Sequence, residues 1–144
     1  MKILIDGDAF PCIKKIISLA KSYQKEIAIY VDTSHILEDD YAKIIIVSQG
    51  SNAVDVRLEN DISKGDIVLT QDYGVAIIGL SKDAICINQY GNRYTDYNID
   101  YLLEIKGNNL RRRKFRNIKG PKKRTKTDDE RLLEIIEFFL NESR

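Results

Sequence analysis

Short apolar runs alternating with amphipathic stretches predict an α/β fold, a single three-layer domain around a mostly parallel five-stranded sheet. Three observations carry this. Five runs of three to five residues are nearly all apolar, as strands covered on both faces must be. The segments between them space their apolar residues as helices do. Aspartates directly follow the first and fourth runs, at the strand ends where open parallel sheets bind ligands.

The strands are Lys2–Ile5, Ile27–Val31, Ile44–Val47, Ile67–Leu69 and Ile85–Ile87. After the first, Pro11 suits the opening turn of a helix, and Ile13, Ile16, Ile17 and Ala20 form its apolar stripe. Asp8 stands where it can cap that helix. Thr33–Lys43 is less regular and reads as a loop or a short helical turn, with His35 at its surface. Ser51 or Asn52 caps a second helix carrying Val54, Leu58 and Ile62. Tyr73–Leu80 forms a third, interrupted by Gly74 and Gly79. Thr95 starts a fourth through Ile99, Leu102, Leu103 and Ile105, and Tyr90, Tyr94, Tyr97 and Tyr101 read as packing residues. A capping box at Thr127-Asp128-Asp129-Glu130 opens a last helix with Leu132, Leu133, Ile136, Phe139 and Leu140. The expected organisation is one domain over 1–144, with a core at 1–110, a basic segment at 111–127 and a closing helix at 128–141.

With 144 residues, 43% of them hydrophobic and 31% charged, the chain has the composition of a soluble globular protein. No apolar run approaches the roughly 18 residues of a membrane span, and the amino terminus lacks a signal-peptide core. Cys12 and Cys86, without C-x-x-C spacing, read as reduced and buried thiols, which places the protein in the cytoplasm. His35 is the sole histidine, which argues against zinc. Oligomeric state is not legible.

The net charge of +1 conceals a segregation. Residues 1–110 carry 11 Lys/Arg against 16 Asp/Glu, residues 111–127 carry 10 against none, and residues 128–144 carry 2 against 6. An acidic body joined to a basic segment points to a polyanionic partner. Arg111, Arg112, Arg113, Lys114, Lys122, Lys123 and Arg124 are its candidate phosphate contacts. Phe115 within it reads as a core anchor before a base-stacking residue.

A strand order of 3-2-1-4-5 makes the first and fourth strands neighbours, so that Asp6, Asp8 and Asp72 converge on one crevice. Asp55, in the first turn of the second helix, is the candidate fourth acid. Clustered carboxylates repel unless protonated or bridged by a cation, and an all-oxygen donor set favours Mg²⁺ or Mn²⁺. Ser48, Ser51, Asn52 and Thr70 are candidate hydrogen-bonding residues of the rim. The bland alternative for each acid is capping the helix that follows.

Ile3-Leu4-Ile5-Asp6-Gly7-Asp8-Ala9-Phe10-Pro11 resembles the V-D-A-D-A-C-P signature of the YaiI/YqxD family of uncharacterised bacterial proteins. Val47-Ser48-Gln49-Gly50 with Asp55 downstream, Gly65-Asp66-Ile67-Val68-Leu69-Thr70-Gln71-Asp72, Asn88-Gln89-Tyr90-Gly91 with Tyr94-Thr95, and Gly120-Pro121 follow in the family's order. The resemblance implies a PIN-like fold and, with it, a Mg²⁺- or Mn²⁺-dependent ribonuclease with Asp6, Asp8, Asp55 and Asp72 as its acidic positions. Asp6, Asp8 and Asp72 are then the catalytic candidates. Three departures stand out: Phe10 replaces the signature cysteine, Asn52 replaces a frequent acid, and Gln89-Tyr90 replaces an arginine. Two rivals remain. One is a non-catalytic RNA- or ribosome-binding PIN-like protein. The other is a haloacid-dehalogenase-like phosphatase, whose first motif Ile3–Asp8 also resembles, with Asp6 as nucleophile.

Overall fold

The first strand, β1 (Lys2–Asp6), lies at the centre of the sheet, and its three inner residues are fully buried. A computed structural model describes residues 1–33, 37–48, 52–101, 104 and 123–143. Along the chain β1 is followed by α1 (Ile13–Ser22), β2 (Glu26–Asp32), β3 (Lys43–Val47), α2 (Ala53–Asp61), β4 (Ile67–Leu69), α3 (Tyr73–Ser81), β5 (Ile85–Ile87), β6 (Arg93–Tyr94) and α4 (Lys126–Glu142). The strand order is β3-β2-β1-β4-β5-β6; the first five strands run parallel, and β6 is antiparallel to β5. The predicted order therefore holds, with one short strand added at the edge.

Alternation along each strand divides the core. Ile3, Ile5, Ile27 and Ile29 face α1 and α4, packing with Ile16, Ile17, Leu132, Ile136 and Leu140. Leu4, Ala28, Tyr30 and Val68 face α2 and α3, packing with Val54, Leu58, Val75 and Ala76. Three layers result because a β residue has only two directions in which to point.

Several local expectations shift. α1 begins at Ile13, so Pro11 lies before the helix, and its N-cap is Cys12 in the left-handed region at φ 62°, with no side-chain cap bond. Asp8 does not cap it; Asp8 turns instead toward β2, where its Oδ1 accepts from Asp32 N at 3.3 Å. The capping box of α4 sits two residues earlier than predicted. Thr125 Oγ1 accepts from Asp128 N, and Asp128 Oδ2 from Thr125 N at 2.9 Å. Both Thr125 and Thr127 have an acid three residues on, and the earlier pair adds a half-turn of helix. β6 escapes the sequence pattern because two residues are too few to alternate. It follows a turn closed by Asn88 N donating to Asn92 O, with Gly91 at φ 79° against the Arg131 backbone. Tyr94 packs as expected, edge-on to Tyr73 at 5.7 Å, but Tyr97 is 97% exposed and Tyr101 also faces solvent. Ile99 takes the buried position of that segment, and it is helical through Tyr101. Leu102, Leu103 and Ile105 of the expected fourth helix, and also His35 and Phe115, lie outside the described residues.

Gly7, between the first two aspartates, is a packing requirement. A Cβ there would stand 2.7 Å from Ile29 Cγ2 and 3.1 Å from the Tyr30 carbonyl oxygen, to which Gly7 N already donates at 2.9 Å. Gly7→Ala is expected to cost about 1–3 kcal/mol of stability through overpacking, measured by urea denaturation. An unchanged midpoint would show that the strand end yields more easily than this contact implies.

Candidate metal centre

The four predicted acids gather at the carboxyl edge of the sheet. Asp6 ends β1, Asp72 follows β4 as the N-cap of α3, and Asp55 lies in the first turn of α2. The cleft, about 270 Å³, is lined by Asp6, Asp8, Ala9, Phe10, Gln71 and Asp72. Larger clefts, at the amino ends of β1–β3 and beside α1, contain none of these acids.

Thr70 organises the centre from below. It is fully buried, its hydroxyl donates to Asp6 Oδ2 at 3.2 Å, and the same oxygen accepts from Asp72 N at 3.0 Å. It thus positions two acids rather than facing solvent at the rim. Its carbonyl accepts from the buried Tyr94 hydroxyl at 3.2 Å, which ties the site to β6. Asp72 Oδ1 accepts from Gly74 N at 2.7 Å and Val75 N at 3.3 Å, so this acid does cap a helix while it faces the cleft. Gln71 Nε2 donates to Ala9 O at 2.9 Å, tying the loop after β4 to the loop after β1. Ser48 and Asn52 are exposed near the start of α2, and Asn52 adopts φ 66°. Ser51 lies outside the described residues.

The electrostatics record crowding. Burial pushes the Asp6 carboxyl above its ordinary range; the Thr70 hydroxyl opposes this, and Asp8 and Asp72 add to it. Asp55 is pushed up to about 6 by burial, by the charges of Asp6 and Asp72, and by a hydrogen bond shared with Asp72. Like charges in one cleft hold each other's protons. The consequence for stability has a definite sign. The folded state binds the Asp55 proton more tightly than the unfolded chain, so this group's contribution falls as pH rises from about 4 to about 6. Melting temperatures of wild type and Asp55→Asn should therefore diverge across that window, the wild type losing ground as pH increases. A constant difference would contradict the crowding.

Among the described residues, no three His, Cys, Asp or Glu side chains stand close enough to close around one ion. The donors are all oxygen, and the carboxylates sense one another without forming a cage. Such a set suits a hydrated hard dication of the Mg²⁺ type, which keeps several waters and uses one or two carboxylates, rather than a dehydrated ion.

Asp32 is a residue that the sequence reading missed. It closes β2 beside β1, and its N–H donates to Asp8. The signal was present: Val31-Asp32 ends an apolar run as Ile5-Asp6 does.

Of the basic segment, Arg111, Arg112, Arg113, Lys114 and Lys122 lie outside the described residues, and Lys123 is exposed. Arg124 is engaged by the fold. Its Nε donates to Asp129 Oδ1 at 2.6 Å, its Nη1 to Gln89 O at 2.5 Å, and its guanidinium lies 5.7 Å from the Tyr90 ring centroid. Gln89 follows β5, so Arg124 meets the fold at the same edge of the sheet as the acids. Cys86 is a buried free thiol, whereas Cys12 is only half-buried, short of the full burial expected. No helix among the described residues is long and apolar enough to cross a membrane.

An α/β domain with a six-stranded, mostly parallel sheet and acids at its carboxyl edge is the class that these features define. Residues 4–142 match the description of the uncharacterised YaiI/YqxD family. The chain belongs to that family. It is 44% identical to a UPF0178 protein of Alkaliphilus oremlandii, over 99% of this chain and 93% of that one. It is 43% identical to a UPF0178 protein of Clostridium kluyveri (98% and 94% covered) and 39% identical to one of Clostridium tetani (100% and 99% covered). No solved structure matches the chain significantly.

Proposed function

We propose that the carboxyl-edge cleft is the centre of a Mg²⁺- or Mn²⁺-dependent nuclease that hydrolyses phosphodiesters, with RNA the favoured substrate. The observation that carries this reading is the convergence of Asp6, Asp8 and Asp72 on one cleft at the strand ends, beside an Asp55 carboxyl pushed up by burial and by the charges of Asp6 and Asp72, a crowding that a dication relieves. Asp6 and Asp72 are the proposed direct ligands of a hydrated ion, with Asp8 and Asp55 reached through its waters. The chemistry such an ion supplies is activation of water and neutralisation of charge developing on the phosphate. The chain's own part is orientation. Thr70 fixes Asp6, the α3 amino terminus fixes Asp72, and Gln71 holds the two loops together. The basic segment supplies salt-dependent, sequence-independent attraction for the polyanion, and Arg124 fixes its end beside β5. The free thiols favour a reducing compartment, which supports the cytoplasm as the proposed setting of this activity.

Mn²⁺-dependent degradation of short RNA and DNA, with and without EDTA, tests the proposal. Cleavage abolished by EDTA is expected, with RNA cut faster. RNA binding that survives EDTA without cleavage would replace it with a non-catalytic RNA-binding role. A phosphorylated Asp6 trapped during turnover of a phosphate ester would replace it with the phosphatase mechanism.

A further inference from the structure

At the amino ends of the strands, opposite the acidic cleft, a second cleft of about 570 Å³ lies between α2 and strands β1–β3. Its volume is within the range of small-molecule sites. The sequence of β2 makes the space. Glu26, Ala28 and Tyr30 share the face toward α2, and Ala28, the smallest of them, pairs with Lys43 of β3. α2 runs back over these strands to end at Asp61, with Arg57 one turn earlier on the same side.

The lining holds three cations, Lys2, Lys43 and Arg57, against two acids, Glu26 and Asp61, within a body where acids outnumber cations. Lys2 is engaged, its Nζ donating to the buried Asp66 at 2.7 Å. Lys43 forms no ion pair among the described residues, and neither does Glu26. Asp61 Oδ2 accepts from the buried Tyr30 hydroxyl at 2.7 Å and from Arg57 Nε at 3.4 Å. The guanidinium is thus held by one edge, and its two terminal nitrogens make no hydrogen bond among the described residues. Tyr41 forms a fixed wall. Its hydroxyl donates to Lys25 O at 2.6 Å, and Asp39 Oδ2 accepts from the N–H groups of Tyr41 and Ala42 at 2.8 and 2.7 Å.

We propose that this cleft binds a mononucleotide, with the phosphate on Arg57 and Lys43, the ribose hydroxyls on Asp61 and Glu26, and the base against Tyr41. Each part of the ligand answers one part of the lining. Two uncommitted cations call for an anion, and the free fork of a guanidinium matches phosphate. Ionised carboxylates only accept, so Glu26 and the second oxygen of Asp61 call for hydroxyl or amino donors. A tyrosine ring held in place offers a stacking surface to any base. A bare phosphate would occupy only a small part of the cleft and leave the ring and the acids without a role.

A heteronuclear NMR titration of the full chain tests this, with adenosine monophosphate, ribose phosphate and inorganic phosphate each taken to about 1 mM, the upper end of ordinary substrate constants. EDTA throughout keeps dications from the acidic cleft, so the outcome is independent of the nuclease reading. Adenosine monophosphate should bind most tightly of the three and shift the amides of Lys43, Ile45 and Arg57. Arg57→Ala and Lys43→Ala, both at exposed positions, should leave the circular dichroism spectrum unchanged and weaken binding about tenfold each. Tyr41→Leu should weaken adenosine monophosphate but not ribose phosphate, a split that a merely structural role would not produce. No binding at that ceiling, shifts confined to the carboxyl edge, or undiminished binding by the Arg57 and Lys43 variants would overturn the proposal. Equal binding of ribose phosphate and adenosine monophosphate would overturn it as well.

Discussion

Asp6→Asn is expected to reduce Mn²⁺-dependent RNA cleavage by about a hundredfold or more, the scale on which altered metal-site residues act. The substitution is nearly isosteric, and the amide oxygen can still accept the Thr70 hydroxyl that now binds Asp6 at 3.2 Å. Stability should therefore hold, or rise slightly, because one of the charges that raise the Asp55 carboxyl is gone. Loss of activity together with retained stability is the signature of a ligand, whereas loss of both would mark Asp6 as structural. Equal cleavage by the two proteins would remove the nuclease reading.

Leu132→Ala is expected to lower the unfolding free energy by about 2–5 kcal/mol, as a truncated, fully buried leucine does. The site is informative because α4 lies beyond the basic segment, yet packs against the same cluster as Ile3, Ile5 and Ile16. The Tyr23 hydroxyl, just past α1, also lies 2.9 Å from Asn141 Oδ1 and 3.2 Å from Glu137 Oε2. The helix is thus part of the domain core. Guanidinium denaturation should show one cooperative transition, moved to lower denaturant in the variant. A change below about 1 kcal/mol, or a separate early transition, would mean that α4 is an appendage, because a leucine truncated within an integral core costs more.

The sheet is legible because strands buried on both faces leave unbroken apolar runs; the order 3-2-1-4-5 is an expectation that those runs do not fix, and the strand pairing bears it out. Asp6 and Asp72 are legible because each follows such a run. Elements set by local backbone geometry were harder to read. The left-handed Cys12 that starts α1, the two residues of β6 and the competition between Thr125 and Thr127 for one cap leave little trace in periodicity. Spacing favours Asp8 over Asp72 as the capping acid, because Pro11 follows it by three residues; the structure reverses this, since α1 starts only at Ile13 and Asp72 caps α3. Thr70 read as a rim residue because its type is common in loops; its complete burial is a tertiary fact. Asp32 repeats the position of Asp6 at the end of an apolar run, but a switch point between β1 and β4 does not single out the end of β2.

The central claim is that Asp6 and Asp72 hold a hydrated dication, with Asp55 within reach of its waters. Titration of Mn²⁺ into the protein, followed by the loss of the free-ion electron paramagnetic resonance signal at pH 5 and pH 7.5, tests it directly. Binding should be markedly tighter at pH 7.5, where the Asp55 carboxyl, held up to about 6, has lost its proton, and should collapse in Asp6→Asn and Asp72→Asn. Mn²⁺ binding that is independent of pH and unchanged in both variants would place the metal elsewhere and contradict the account.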